Sequence, residues 1–219
     1  MDLRIAHSVA CTEAEGPFRR AAVWVQGCSL ACPGCCNPEL FPAQGGLRRS
    51  VGALVSELAE HRERHAIEGL SVLGGEPSEQ LAGVTALCVA ARALGLGVIV
   101  FTGRSESELA ALPGGPKLLA SIDTLVDGRF DATRREPAGG RRFIGSSNQR
   151  LVHRTPRYAD PELWRGSGGV ELQLSADGGL SLHGAPALAR RLARALGGPR
   201  ELQAIATGVQ SGSPGRIFD

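Results

Sequence analysis

Apolar and polar positions along most of the chain predict short strands alternating with helices. Residues 21–27, AAVWVQG, form an apolar run of strand length that feeds directly into a cysteine-rich loop. Residues 51–64, VGALVSELAEHRER, place Leu54, Val55 and Leu58 at helical spacing. LSVLGG (70–75) is a short apolar run stopped by two glycines. SEQLAGVTALCVAARALG (78–95) predicts a helix with Ser78 at the N-cap and Gly95 at the C-cap. GVIVFTG (97–103) predicts a buried strand, SESELAAL (105–112) a helix and DTLVDGRF (123–130) another strand. Such alternation implies parallel pairing through right-handed crossovers.

From about residue 131 the pattern changes. DATRREPAGGRR reads as a polar loop and FIGSSNQRLVH as a last short strand with a turn. VELQLSADGGLSLHG (170–184) predicts a hairpin about an Asp177-Gly178 turn. APALARRLARALG (185–197) predicts an amphipathic helix with Leu188, Leu192 and Leu196 on one face and Arg190, Arg191 and Arg194 on its wet side. The last stretch, GVQSGSPGRIFD, reads as a loose tail. The expectation is one α/β core over residues 1–155 and a small α+β extension over 156–219.

Composition narrows the class. A 219-residue chain buries enough surface to fold without disulfides or metal, and a net charge of +2 with no basic block argues against nucleic acid. No apolar run approaches the ~20 residues of a membrane span, and the N-terminus lacks a signal-peptide core. These features point to the cytoplasm, where thiols stay reduced and clustered cysteines serve metals or catalysis.

Four of the six cysteines fall within nine positions, in GCSLACPGCCNPEL. Cys28, Cys32 and Cys35 have C-x3-C-x2-C spacing. Structural zinc asks for four protein ligands, commonly two distant C-x2-C pairs, and a four-cysteine iron–sulfur cubane has the same need. Here Cys11 and Cys88 are single and distant, and Cys36 adjoins Cys35 too closely to reach the same ion without strain. A cubane held by three cysteines has no such shortage and leaves one iron open. The second motif is Gly74-Gly75-Glu76-Pro77, at the end of a predicted strand, where ligands of parallel folds bind. Two glycines allow close backbone approach, and Glu76 or nearby carbonyls could receive an ammonium group. Alone, this motif is equally well a strand-to-helix turn.

Together the motifs resemble the radical S-adenosylmethionine (SAM) superfamily, and within it the activating proteins of anaerobic (class III) ribonucleoside-triphosphate reductases. EGPFRRAAVWVQGCSLACPGCCNPEL, LSVLGGEP, LVDGRF and GSSNQR carry the resemblance, in the family's order, over roughly residues 10 to 155. It implies a partial (β/α) barrel of the radical SAM type. Cys28, Cys32 and Cys35 would ligate a [4Fe-4S] cluster whose open iron is chelated by SAM. Gly74, Gly75 and Glu76 would hold the SAM amino group, with Pro77 shaping the turn. Gly34 and Cys36 would lie along the adenine, and Ser146 and Asn148 would contact ribose or methionine. The implied reaction is reductive cleavage of SAM to a 5'-deoxyadenosyl radical, which removes a glycine hydrogen from a larger glycyl-radical enzyme. An electron donor such as flavodoxin or ferredoxin is implied, and no catalytic acid–base pair is required.

The chain departs from that pattern in three places. Cys36 replaces an aromatic, His or Asn residue, about sixty residues follow GSSNQR, and no further cysteine cluster appears. The extension leaves open a stand-alone enzyme acting on a peptide or small molecule. A non-catalytic iron–sulfur or zinc module would lack a fourth ligand and leave Gly-Gly-Glu-Pro unexplained. Asp127 resembles an acidic position near the active-site mouth, with a structural role equally open. Cys88 reads as packing and Cys11 as structural. His61 and His65 have i, i+4 spacing but lack the zinc-protease order.

Overall fold

The computed structural model describes residues 1–174 and 180–195. The Asp177-Gly178 turn, Leu196 and the tail lie outside the described residues. In chain order the elements are β1 (Asp2–Thr12), β2 (Arg20–Val25), β3 (Leu47–Ser50), α1 (Val51–His65), β4 (Gly69–Gly74), α2 (Leu81–Ala93) and β5 (Gly97–Phe101). They continue with α3 (Glu106–Ala110), α4 (Gly115–Ala120), β6 (Thr124–Asp127), β7 (Arg150–His153), β8 (Val170–Leu174), β9 (Leu180–Gly184) and α5 (Pro186–Ala195).

Seven strands form one sheet in the order β3-β1-β2-β4-β5-β6-β7, and β8 and β9 form a separate hairpin. The expected parallel pairing holds in the centre, where β2, β4, β5 and β6 run together. At the sides it gives way to antiparallel pairing: β1 with β2 and β3, and β7 with β6. The short connection from β1 to β2 holds no helix that could carry the chain over for a parallel return. The α/β class stands, with a mixed sheet.

Central strands bury both faces, which is why they read as continuous apolar runs. One face, with Val23, Val25, Leu70, Val72, Val98 and Val100, packs on Leu54 and Leu58 of α1 and Val84, Leu87, Cys88 and Ala91 of α2. The opposite, inner face carries two smaller clusters. Ala22 and Trp24 join Val9 and Leu40; Ile99 and Val126 join Ile144, Tyr158 and Trp164. The last two residues come from 3-10 turns at Pro156–Tyr158 and Pro161–Trp164, so the chain just past β7 folds back into the core.

Two helix expectations shift. Ser78 does not cap α2. A 3-10 turn at Pro77–Gln80 comes first, capped by the Glu76 carboxylate accepting from Ser78 N at 2.9 Å. Gly95 does end α2, at φ +79° directly after the capping residue Leu94. On α5 the buried residue is Ala189, whereas Leu188 is 44% exposed and Leu192 half-buried. The position that α5 buries is therefore this alanine rather than the leucine face its sequence predicts.

Candidate active site

The thiol loop starts where β2 ends and is closed on itself by backbone bonds. Gly27 N donates to Leu40 O and Cys28 N to Phe41 O, both at 3.0 Å. Inside the loop Cys35 N donates to Cys32 O at 3.1 Å, a turn made possible by Gly34 at φ +73°. Ala31, at φ 44°, is a non-glycine residue held in the left-handed region, a strain that the loop's anchors must offset. Glu79 supplies one anchor: its Oε1 accepts from both Ser29 N and Ser29 Oγ at 2.6 Å.

None of the six cysteines is in a disulfide; Cys28, Cys32, Cys35 and Cys36 are half-buried and Cys88 is buried. Burial pushes the Cys28 thiol up and the Cys88 thiol up to about 12, which leaves Cys88 an inert packing group. Cys36 lends its S–H to Cys35, so Cys35 is pulled down and Cys36 pushed up. Cys36 thus acts as a hydrogen-bonding neighbour of Cys35.

The Gly-Gly-Glu-Pro motif lies against this loop. A Cβ at Gly75 would stand 2.1 Å from Gly27 O, so only glycine fits there. Gly75 N donates to Val25 O and Glu76 N to Gly27 O, binding the two strand ends together. The Glu76 carboxylate is fully buried and accepts from Ser78 N (2.9 Å), Thr102 Oγ1 (2.7 Å) and Gly103 N (2.9 Å). Its oxygens are therefore turned into the scaffold, fastening the end of β5 to the end of β4.

The β6 end approaches from the other side. A Cβ on Gly34 would meet Ala132 Cβ at 3.0 Å, and one on Gly103 would meet Leu30 Cδ1 at 2.5 Å. Leu30 therefore lies over the β5 end and the loop tip against the chain after β6. Asp127 is buried, accepting from Glu106 N at 2.7 Å and pairing with Arg150, which is the structural role. Ser146 Oγ is buried and accepts from Asp131 N at 3.1 Å. Asn148 donates through Nδ2 to Arg129 O at 2.8 Å, while its buried Oδ1 has no partner among the described residues.

The structure thus gathers the cysteine loop, Gly74–Pro77 and the chain after β6 at the carboxyl ends of the parallel strands, where α/β sheets bind ligands. Glu79, Thr102 and Gln80, whose Nε2 donates to Arg4 O and Gln26 O, were not singled out from sequence. A polar run directly after a strand end, as in FTGR, was the available signal for Thr102. A cleft of about 460 Å³ lies elsewhere, beside Leu151, His153 and Trp164, and none of the candidate residues lines it.

The donor set can be weighed against metals. Zinc with bonds of about 2.3 Å would draw its sulfurs to within about 4 Å of one another. Among the described residues no three Cys, His, Asp or Glu side chains are gathered closely enough to hold one ion. Three thiolates that each address a different iron of a cubane need no such closeness. Three free thiols on one short loop, and an unpartnered acceptor at Asn148, fit an iron–sulfur cluster with a polar ligand beside it.

Comparison with known proteins agrees. Residues 14–152 match the family described as a 4Fe-4S single cluster domain. The chain is 28% identical over 150 residues to the anaerobic ribonucleoside-triphosphate reductase-activating protein of Enterobacteria phage T4, covering 66% of this chain and 90% of that protein. It is 31% identical over 146 residues to the protein of the same name from Vibrio cholerae, covering 64% and 90%. For Escherichia coli K12 the figures are 29% over 145 residues, 63% and 90%. The chain belongs to the 4Fe-4S single cluster domain family, alongside the anaerobic ribonucleoside-triphosphate reductase-activating proteins.

Proposed function

We propose that this protein is a radical SAM activating enzyme that installs a glycyl radical on an anaerobic ribonucleoside-triphosphate reductase. The observation that carries the reading is the packing of a three-thiol loop against Gly75, at the carboxyl ends of four parallel strands. When bound, a [4Fe-4S] cluster supplies the electron for reductive cleavage of SAM, from which the glycine-oxidising radical derives. Cys28, Cys32 and Cys35 would hold the cluster, and Cys36 would donate a hydrogen bond to Cys35. Gly74 and Gly75 would offer backbone to the SAM amino group. Glu76 would act indirectly, by fixing Thr102 and Gly103, and Pro77 by shaping the turn. Asn148 would offer Oδ1 to the ribose or methionine, Gly34 would line the adenine, and Ser146 would hold the strand behind them.

In this reading the seven-stranded sheet is the wall of a partial barrel, with residues 1–155 as the cofactor-handling core and 156–219 as an appended part. Among the described residues no helix is long and apolar enough to cross a membrane. The protein would act in the cytoplasm with a small electron-carrier protein such as flavodoxin or ferredoxin as donor.

The test is anaerobic reconstitution followed by assay with dithionite and SAM. About four irons per chain and release of 5'-deoxyadenosine are expected, and a glycyl-radical signal should appear on an added reductase. Replacing Cys28, Cys32 or Cys35 by Ala should abolish the cluster, and Cys11→Ala or Cys88→Ala should spare it. Zinc alone, with no iron uptake, would refute the reading.

A further inference from the structure

The family match stops at residue 152, and the chain beyond it returns to the core in two places. One is the hairpin, fastened to β1 and the chain after it: Glu171 Oε1 accepts from Glu13 N at 2.6 Å, and Gly184 N donates to Glu15 Oε1 at 2.9 Å. There the fully buried His183 of β9 stacks on His7 at 5.2 Å and lies 6.0 Å from Trp24. The other return is residues 164–166, which run beside the loop before β7. Arg142 N donates to Trp164 O at 2.6 Å and Gly166 N to Gly140 O at 2.9 Å, so the backbone of Arg141, between them, is held against Arg165. From that anchored position the Arg141 side chain reaches the turn that carries Asn148. Its Nη1 donates to Gln149 O at 2.7 Å and its Nη2 to Ser147 O at 3.2 Å, so the carbonyls on either side of Asn148 meet one guanidinium. Nε and Nη2 of the same group bind Glu136 Oε1 at 3.1 Å and Oε2 at 2.6 Å, and the Glu136 side chain is only 10% exposed.

We infer that Arg141, aligned by Glu136, is a positioning residue for SAM: it fixes the peptide groups that flank Asn148 and so sets the direction of that residue's unpartnered Oδ1. The inference rests on the functional reading above, in which Asn148 touches the ribose or methionine. The turn stands next to the thiol loop, with the Phe130 ring between them. A Cβ on Gly34 would lie 4.0 Å from Phe130 Cε1, and one on Gly145 would lie 3.0 Å from Phe130 Cδ2. Asn148 Nδ2 already donates to Arg129 O, but that bond does not fix the backbone from which the amide projects. Holding both neighbouring carbonyls before SAM arrives removes freedom that binding would otherwise have to freeze. The task suits arginine, whose planar fork aims several donors in fixed directions at once. A lysine there would keep a cation for Glu136 and lose the fork that spans the two carbonyls.

The experiment uses full-length protein carrying Arg141→Lys, Asn148→Ala or both. In the iron-free chain, amide hydrogen exchange over residues 145–150 should be faster in Arg141→Lys than in the wild type, with exchange in β2, β4 and β5 unchanged. After reconstitution Arg141→Lys should hold wild-type iron and bind SAM roughly three- to tenfold more weakly by equilibrium dialysis. Asn148→Ala should weaken SAM at least as much. Adding Arg141→Lys to it should weaken SAM no further, because the clamp acts only through Asn148. An arginine with a merely structural role would lower affinity by the same factor in both backgrounds, and that result would overturn the inference. So would unchanged exchange or loss of iron in Arg141→Lys, or wild-type SAM affinity in either single variant. Failure of the wild type to take up iron would instead sink the functional reading, while the exchange comparison would still decide whether Arg141 holds the turn.

Discussion

Gly75 is the residue on which the two motifs meet, and its role differs from what a strand-end glycine suggests in sequence. The pair Gly74-Gly75 reads as room for a ligand, but the group that comes closest to Gly75 is the backbone of Gly27, one residue before Cys28. A side chain there has no flexible neighbour to push aside. Gly75→Val should therefore displace the start of the thiol loop and lose iron as well as SAM binding. Iron analysis after reconstitution and equilibrium dialysis with SAM would check this, and wild-type iron content would show that the loop can yield. Cys36 allows a contrasting test. A fourth thiolate on the cluster would occupy the iron that SAM needs, and here the Cys36 thiol instead hydrogen-bonds to Cys35. Cys36→Ala should keep about four irons and most SAM cleavage; loss of the cluster would make Cys36 a ligand.

At the scale of elements, the docked hairpin responds to pH through groups with opposite signs. Burial, with a smaller contribution from His183, pushes His7 down to about 3, and burial pushes His183 down to about 4. Both values lie below the free 6.5, so their contribution is whole above about pH 6.5 and is lost as pH falls through 4. Glu15 is pushed up by burial to about 8 from 4.5, so its contribution is whole below 4.5 and is lost as pH rises through 8. Between those free values two histidines outweigh one carboxyl; above them only the carboxyl acts. Docking should be strongest near pH 6.5 and weaken on either side by on the order of 1 kcal/mol per pH unit. Tryptophan quenching against pH would show it, and a profile unchanged by Glu15→Gln and His183→Phe together would count against it. The same elements show what a sequence can display. β2, β4 and β5 are legible because burial on both faces makes them unbroken apolar runs. β1 is not, since register shifts between Ile5 and His7 and between Val9 and Thr12 break its alternation. The three-cysteine motif is legible because its spacing is local. Glu79, Gln80 and Thr102 are not, because their partners lie 26 to 76 residues away and leave no local pattern.

Over the whole molecule the two ends of the parallel strands do different work. The carboxyl ends gather the thiols and glycines; the amino ends hold a buried polar network that touches none of them. Arg20, at the start of β2 and fully buried, donates to Pro17 O, to Leu70 O at 3.3 Å and to Tyr158 Oη at 3.4 Å. Tyr158 donates to Glu68 Oε2 at 2.6 Å, and Arg157 Nε donates to Glu68 Oε1 at 2.7 Å. The Tyr158 hydroxyl thus sits between a buried cation and its carboxylate, and burial pushes it up to about 12, so it stays protonated and donating. Tyr158→Phe removes that bridge without creating space, and it leaves the buried Arg20 short of a partner, while the partly exposed Glu68 keeps Arg157. Leaving buried polar groups unsatisfied costs roughly 1–3 kcal/mol, which is a large fraction of a domain's net stability. Tyr158→Phe should lower the urea midpoint of the iron-free chain accordingly. Iron content and SAM cleavage per folded chain should match the wild type, because no step of the proposed chemistry reaches the amino ends of the strands. A variant of unchanged stability, or one that folds fully but cleaves SAM poorly, would show that the two ends are coupled.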